Sequence, residues 1–482
     1  MDFRGLAKTL GGLCIVLGVV LTAPGIYSLI AGGLHTQVFF IVALSAIVTG
    51  SLLWISQAGY QKDINIRTGF AVVTLSWVLA AVLGAMPFYL SGSLSTFVDA
   101  FFESASGFSG TGASAINDIE SLDSAIVLWR SMTQWLGGMG IIVFFIAILP
   151  ALGLGGVQLF KAEITGPQGD KLTPRVREAA KKLWLLYLGF TVLLALLLWA
   201  IGGMSLFDAI NHSFTTCATG GYSTKNSGVA WFASPTVDII LIVFMSLCSI
   251  NFNLHYRLLL MKDVSIFRDT EMKWYLWILG AMTLIVTLIN WGPTYNSFFE
   301  SLRYSAFVVT STASSTGFSN PDYMLWPLAT HFIIVLLMVM GGSSGSTAGG
   351  TKVIRLVAAL KLLEREFKQI VHPNAVIPVK INNHTVPRNI IRTIWALLFV
   401  YFLVFSIAAF LIVCTGQDIV TSSTAVFSAL SNIGPALGNL GPTATYSGLS
   451  DFAKLVLCVC MILGRLEFFT VLVIFTPGFW KK

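Results

Sequence analysis

Four stretches of the chain share one pattern, in which a short amphipathic segment runs into a loop rich in glycine, serine and threonine. The stretches are Thr96–Ser114, Ser205–Ser223, Phe298–Ser319 and Ile419–Gly438. Aligning the loops places four glycines at equivalent positions, with Gly220 an adjacent candidate in the second copy: Gly112, Gly221, Gly317 and Gly434. The repeat is about a hundred residues long, which exceeds the unit of soluble repeat proteins.

Backbone carbonyls in such loops suit the coordination of a monovalent cation. A dehydrated cation needs oxygen dipoles in place of its water shell, and loops that turn their carbonyls toward a common axis supply them. Turning successive carbonyls the same way requires some residues at positive φ, which glycine adopts at little steric cost. Any single copy also fits an ordinary turn between apolar helices. Recurrence at four corresponding places favours a ring of carbonyls.

The composition indicates a polytopic membrane protein. Hydrophobic residues make up 55% of the chain and charged residues 11%, and the mean hydropathy is +0.81. Long apolar runs recur throughout, and we interpret the first of them as a retained span rather than a cleaved signal. The six cysteines lie in apolar segments without metal-binding spacing and are expected to be core thiols: Cys14, Cys217, Cys248, Cys414, Cys458 and Cys460.

Catalytic chemistry has no support in the sequence. No nucleophile and base can be paired, and the hydrolase-like pattern Gly342–Ser346 has no strand before it. His212 and the polar group Asn251, Asn253 and His255 are expected to be structural, although the latter three could also line a wet vestibule. The chain is therefore not expected to be an enzyme.

The net charge of +7 is distributed unevenly between alternate loops. Basic residues concentrate in segments 161–182, 257–273 and 352–392, whereas the four repeated loops carry mainly acids. Since basic loops stay in the cytoplasm, this asymmetry predicts cytoplasmic termini and four loops on the outer side. An acidic outer mouth would also concentrate cations.

The predicted architecture is an all-α polytopic membrane protein with about ten transmembrane helices and four re-entrant pore helices. Four parallel helix–loop–helix repeats are expected to surround a pseudo-fourfold pore. The predicted units are a two-span N-terminal appendage (1–60) and four repeats (61–160, 161–262, 263–390 and 391–482), of which the third carries a basic cytoplasmic helix and hairpin that could touch acidic headgroups or a partner.

The third repeat contains a polar interruption that predicts a gate. Ten small residues follow one another inside an apolar span: Gly341, Gly342, Ser343, Ser344, Gly345, Ser346, Thr347, Ala348, Gly349 and Gly350. Such backbone is tolerated at membrane depth only inside protein or beside water. We expect a flexible plug below the carbonyl ring, with a helix-packing kink as the alternative.

Arg465 is a charged residue inside the last predicted span, Phe452–Phe475. Charges in spans are costly and usually face a pore or pair internally. At the depth of the glycine-rich interruption, Arg465 could hold that loop or repel cations. The alternative is a structural ion pair with Glu467 or another acid.

Several motifs together resemble the TrkH family, the potassium-translocating subunits of bacterial Trk uptake systems. These motifs are WLGGMGIIV, MGGSSGSTAGGTK, VHPNAV and ILGRLEFFT, together with the four degenerate loops, and the resemblance covers essentially the whole chain. It implies an inner-membrane homodimer that transports K⁺ with a cytosolic nucleotide-binding partner of the TrkA type. No nucleic-acid partner, organic cofactor or nucleotide site of its own is implied.

The resemblance also implies site residues. The selectivity filter would comprise Thr111, Gly112, Gly220, Gly221, Thr316, Gly317, Ile433 and Gly434, and the gate would comprise Gly341–Gly350 with Arg465. None of the four loops has the TVGYG sequence of symmetric potassium channels.

Two transport mechanisms remain open at this point. In the first, K⁺ moves through a channel-like filter down its electrochemical gradient. In the second, a secondary transporter couples K⁺ to H⁺ or Na⁺ by alternating access, a class that usually has inverted repeats. The common orientation of the four loops favours the channel-like mechanism.

Overall fold

The computed structural model describes residues 2–59, 66–147, 172–382 and 384–480, and helices dominate these segments. In chain order the helices are α1 (Phe3–Ala31), α2 (Thr36–Ile55), α3 (Ile66–Leu90), α4 (Phe97–Ser109), α5 (Ser124–Ala147), α6 (Leu172–Ala200), α7 (Leu206–Cys217), α8 (Pro235–Cys248), α9 (Phe252–Met261), α10 (Thr270–Asn290), α11 (Phe298–Ala313), α12 (Leu328–Met340), α13 (Val353–Val371), α14 (Arg388–Val413), α15 (Ile419–Ser431), α16 (Asp451–Arg465), α17 (Phe469–Leu472) and α18 (Pro477–Trp480). One antiparallel hairpin, β1 (Lys380–Ile381) with β2 (His384–Thr385), follows α13.

Six of these helices are long and apolar enough to cross a membrane, namely α1, α2, α3, α6, α10 and α14. Two further candidates are bent pairs, α8 with α9 at 96° and α16 with the segment after it at 109°. The described residues therefore hold up to eight such spans, where the sequence predicts about ten. The other two predicted spans correspond to α5, which borders residues 148–171, and to the 13-residue α12. The chain is a multi-pass membrane protein.

The first two helices form a closely packed hairpin. A Cβ atom added to Gly11 would lie 2.8 Å from the carbonyl oxygen of Gly50, and one added to Gly50 would lie 2.6 Å from that of Gly11. Small residues at such crossings let the two backbones approach, which is the main source of helix association within a bilayer. This hairpin packs against α3 and α5.

Four short helices, α4, α7, α11 and α15, have 13, 12, 16 and 13 residues. At about 1.5 Å per residue they extend roughly 18–24 Å, too short to cross a hydrocarbon core of about 30 Å. Side chains of Thr96, Ser205 and Asp418 cap three of their N-termini, and their C-terminal halves are buried.

Each short helix has the same three neighbours in cyclic order. It packs against the long helix before it, against the helix after it, and against the corresponding later helix of the preceding copy. Thus α4 contacts α3, α5 and α16, whereas α7 contacts α6, α8 and α5. In the same way α11 contacts α10, α12 and α8, and α15 contacts α14, α16 and α12. The contact between α4 and α16 closes the circle between the two ends of the chain.

Three helix breaks meet at the segment Gly341–Gly350, which separates α12 from α13. The break between α8 and α9 receives this segment directly, since Ser343 N donates to Ser249 O at 2.9 Å and Phe252 N donates to Gly345 O at 3.1 Å. The last apolar segment, expected as one span over Phe452–Phe475, breaks after Arg465, where Glu467 and Phe468 both have φ near +56°. Backbone polar groups at these breaks are bonded by neighbouring protein.

Candidate ion pathway

The four repeated loops meet in one closed ring of backbone. A Cβ atom added to Gly434 would lie 2.6 Å from Thr111 O, and Cβ atoms on the other three loop glycines would overlap the carbonyl oxygen of the next loop. The contacts are Gly112 with Gly220, Gly221 with Thr316, Gly317 with Ile433, and Gly434 with Thr111. All eight residues named from the sequence therefore lie together, and each loop abuts the next in cyclic order.

The loops also share one backbone conformation. Gly112, Gly221, Gly317 and Gly434 have φ of 84°, 78°, 75° and 103°. The residues two positions earlier are also left-handed, with φ of 70°, 52°, 55° and 53° for Gly110, Thr219, Ser315 and Asn432. Positive φ is uncommon for residues other than glycine and marks a constrained site. Gly221, rather than Gly220, is the conformational equivalent in the second loop.

Buried polar side chains hold the loops in place. Glu103, on α4, accepts hydrogen bonds from Arg130 Nε at 2.6 Å and from Ala115 N at 2.8 Å. Arg130, on α5, also donates to Ser223 O at 3.0 Å and so ties the first loop to the second. Asn432 Nδ2 donates to Thr111 Oγ1 at 3.0 Å, which joins the fourth loop to the first.

The short helices direct their C-termini toward this ring, because each glycine follows its helix end by three or four residues. The C-terminal end of a helix carries a partial negative charge of about half an elementary charge. Four such ends around one ring favour a cation there.

The segment Gly341–Gly350 contacts the ends of three of the short helices. Thr347 Oγ1 donates to Cys217 O at the end of α7 at 3.0 Å. Gly349 N donates to Ser315 Oγ just after α11 at 2.6 Å. A Cβ atom on Gly349 would overlap Ser431 O, the last residue of α15. The segment therefore lies directly against the helix ends that lead into the ring.

Arg465 joins this segment to α5 by donating to one backbone carbonyl of each. Its Nη1 donates to Thr347 O at 2.6 Å and its Nη2 donates to Gly137 O at 3.1 Å, and the residue is 3% exposed. The alternative of an ion pair between Arg465 and Glu467 is wrong, since Glu467 pairs with Arg355 at the start of α13. The positive φ of Glu467 turns the chain after α16 and carries its side chain to a different partner.

Glu271 holds the opposite flank of the same segment. One of its carboxylate oxygens accepts from Ser344 N at 2.7 Å and from Ile354 N at 3.2 Å. The buried Lys352 ammonium donates back to Ala348 O within the segment. Two charged residues of other helices, Arg465 and Glu271, therefore fix its two sides.

Other residues singled out from the sequence have structural roles. His212 is buried, and its two ring nitrogens contact Asp208 O at 2.8 Å and Ser223 Oγ at 3.1 Å. Asn251 caps α9, and His255 bonds Leu247 O. Five cysteines are buried as expected, but Cys414 is exposed at the C-terminal end of α14. Within the described residues no cluster of three or more His, Cys, Asp or Glu could hold a metal ion.

Sequence reasoning did not identify Arg130, Gln134, Glu271, Lys352 or Arg355 as residues of this region. A signal was available for Arg130 and Gln134, because both are polar residues inside an apolar stretch. The remaining three lie at the ends of helices, where charged residues are ordinary, and only the fold brings them to the interruption.

Comparison with known proteins agrees with this architecture. A family described as TrkH, cation transport protein, matches residues 35–482. Two curated relatives, both described as Trk system potassium uptake protein TrkH, come from Salmonella typhimurium at 40% identity and from Escherichia coli K12 at 39%, each over the full length of both chains. The crystal structure of the potassium transporter TrkH from Vibrio parahaemolyticus superposes with a TM-score of 0.92 at 33% identity and full coverage of both chains. The family consists of transporters rather than enzymes. On this sequence and structural similarity, the chain belongs to the TrkH family of cation transport proteins.

Proposed function

We propose that this chain is the K⁺-translocating subunit of a bacterial Trk uptake system. The observation that carries the proposal is the closed ring in which each loop glycine abuts a carbonyl oxygen of the next loop. Relatives over the full length are described as potassium uptake proteins, and the resemblance of the motifs points to the same substrate.

In this proposal the ring is the selectivity filter. Carbonyls of Thr111, Gly112, Gly220, Gly221, Thr316, Gly317, Ile433 and Gly434 replace the water shell of the ion. The partial negative charges of the four helix ends add to their attraction. Because the loops differ in sequence, the ring is less regular than a fourfold symmetric filter.

The segment Gly341–Gly350 acts as the gate. It contacts the inner ends of α7, α11 and α15, so an ion leaving the ring toward the cytoplasm meets it first. Arg465 adds a buried positive charge beside it, which opposes the passage of a cation. Opening requires the segment to leave these helix ends, and its glycines allow the backbone to rearrange.

Flux is driven mainly by the membrane potential in this mechanism. Moving one charge across a membrane is worth about 2.3 kcal/mol per 100 mV. The cyclic packing of four short helices, each with equivalent neighbours, favours a pore around one axis. The alternative, alternating access that couples K⁺ to H⁺ or Na⁺, is the second candidate, and a need for an ion gradient would distinguish it.

The cytosolic features fit a regulatory partner. The helix α13 has basic residues and an exposed apolar stripe that includes Leu363, Phe367 and Ile370. With the hairpin β1–β2, it offers a surface for a nucleotide-binding subunit of the TrkA type. We also propose that the protein is a homodimer of the bacterial inner membrane with both termini in the cytoplasm. The five units predicted from the sequence are proposed as its organisation.

The test is rubidium flux and potassium-selective current through purified protein in liposomes, repeated with Gly317→Ser. We expect the flux of the wild-type protein to follow the membrane voltage. A side chain at Gly317 overlaps Ile433 O, so the Gly317→Ser variant should have altered selectivity or no flux. Gly448→Ser is the matched control, because Gly448 has open space around it and no positive φ. Flux that required a proton or sodium gradient, with selectivity unchanged in Gly317→Ser, would contradict the pore.

A further inference from the structure

We propose that Gln134 of α5 is a specificity-determining positioning residue of the second loop, where its amide takes the place of a side chain that the loop lacks. The inference deepens the proposed function and rests on it, since it assigns the residue that shapes one quarter of the filter. Gln134 is fully buried and comes from the first repeat, whereas the loop that it contacts belongs to the second.

The amide of Gln134 forms hydrogen bonds to the residues on both sides of Gly221. Its Nε2 donates to Gly220 O at 2.7 Å, and its Oε1 accepts from Tyr222 N at 3.2 Å. The two bonds fix the residues immediately before and after the left-handed glycine. A carbonyl oxygen has two lone pairs, so Gly220 O can accept from Gln134 and still face an ion.

The glycine at position 220 is explained by space rather than by backbone conformation. Gly220 is absent from the positive-φ residues, so its backbone would tolerate a side chain. A Cβ atom there would, however, lie within 2.7 Å of the Gln134 amide nitrogen and closer still to the other atoms of that amide. Gln134 thus occupies the volume that a side chain at 220 would need.

The first and third loops show what the second lacks. Their equivalent residues, Thr111 and Thr316, bond through their hydroxyls to Ser109 Oγ at 2.6 Å and to Ser314 Oγ at 2.7 Å. In the second loop both partners are missing, since the corresponding residues are Ala218 and Gly220. Gln134 supplies polar contacts there from outside the loop.

The contacts of Gln134 continue to the first loop through Tyr222. The Tyr222 hydroxyl donates to Glu103 O at 2.9 Å and lies 3.3 Å from Ala113 O, and the Arg130 guanidinium lies 3.5 Å from the centre of its ring. A Cβ atom on Gly112 would lie 3.7 Å from Gln134 Nε2. Gln134 is therefore placed where a change in its contacts alters the spacing of two adjacent loops.

The experiment measures the ratio of rubidium to sodium flux in liposomes for Gln134→Met, which keeps the volume and removes both hydrogen bonds. We expect the ratio to fall by roughly fivefold or more, as for the loss of two hydrogen bonds. Ser131→Ala is the control on the same helix, because the Ser131 hydroxyl bonds only to Val127 O of that helix among the described residues. Its ratio should equal that of the wild type.

A rescue design separates the proposed role from general damage to the fold. Gly220→Ser alone should abolish flux because its side chain collides with Gln134. The same substitution combined with Gln134→Ala should restore flux above that of Gly220→Ser alone, since the new side chain then fills the vacated space. The inference would be overturned if Gln134→Ala did not rescue Gly220→Ser and if the flux ratio of Gln134→Met equalled that of the wild type. Wild-type flux, and with it the proposed function, would then remain intact. Absent wild-type flux would overturn both.

Discussion

Arg465 and Thr347 are 118 residues apart in the chain and are joined by a hydrogen bond of 2.6 Å from the guanidinium to the backbone carbonyl. This bond connects the end of α16 to the interruption between α12 and α13. It places a buried positive charge against the segment proposed as the gate. The same guanidinium reaches Gly137 O on α5, so one side chain links three repeats.

Replacing Arg465 with Ala should raise the K⁺ flux of the isolated protein. A hydrogen bond from a charged group contributes roughly 1.5–3 kcal/mol, so its loss should shift the gate toward the open state by about tenfold or more. Arg465→Gln removes the charge but keeps a donor, and should give an intermediate flux. Rubidium uptake into liposomes measures both.

The control for this experiment is Arg365→Ala, because Arg365 pairs on α13 with the exposed Glu366 and lies away from the interruption. It should leave the flux unchanged. A flux in Arg465→Ala no higher than in that control would argue against a closing role for Arg465.

Glu271→Ala should also increase flux, since it leaves the amides of Ser344 and Ile354 without their acceptor. An unsatisfied buried donor costs about 1–3 kcal/mol, which favours a rearranged segment. Glu271→Gln keeps an oxygen acceptor at the same length and serves as the matched control, with a flux close to that of the wild type. Equal single-channel open probability in both variants would show that Glu271 does not hold the gate.

Deleting Ser344–Thr347 should raise the flux further than either substitution. The deletion removes the contact of Thr347 with Cys217 O and the carbonyl that Arg465 binds. Patch recordings of reconstituted protein, with the Gly448→Ser variant as a reference for normal assembly, report the conductance. If the conductance did not change, the segment would be a packing element rather than a gate.

Arg130→Met should destabilise the protein strongly. Arg130 and Glu103 form a buried ion pair with side-chain exposures of 3% and 0%. Removing one partner of such a pair costs about 3–5 kcal/mol because the other charge stays buried. Thermal unfolding in detergent should show a clear fall in Tm. The exposed pair of Lys368 and Glu364 provides the comparison, and Lys368→Ala should change Tm only marginally.

Several features followed from the sequence because they depend on local chemistry. Apolar runs and the charge asymmetry predict a multi-pass helical protein, and a family resemblance is visible in its motifs. The recurrence of Gly112, Gly221, Gly317 and Gly434 could also be predicted, since glycine adopts a left-handed backbone conformation at little steric cost. The interruption Gly341–Gly350 was identified for a similar reason, because small polar residues cannot face lipid.

The tertiary structure alone decided which groups meet. Gln134 lies opposite Gly220, Glu271 reaches Ser344, and Glu467 turns to Arg355 instead of to its near neighbour Arg465. The tertiary structure also revealed the break after Arg465, which interrupts the segment Phe452–Phe475 that the sequence predicts as one span. Such pairings join residues about 70 to 110 positions apart in the chain. These pairings depend on the cyclic packing of the helices. The local sequence determines a preference for one backbone conformation, but it does not determine which residue of another repeat will lie in contact.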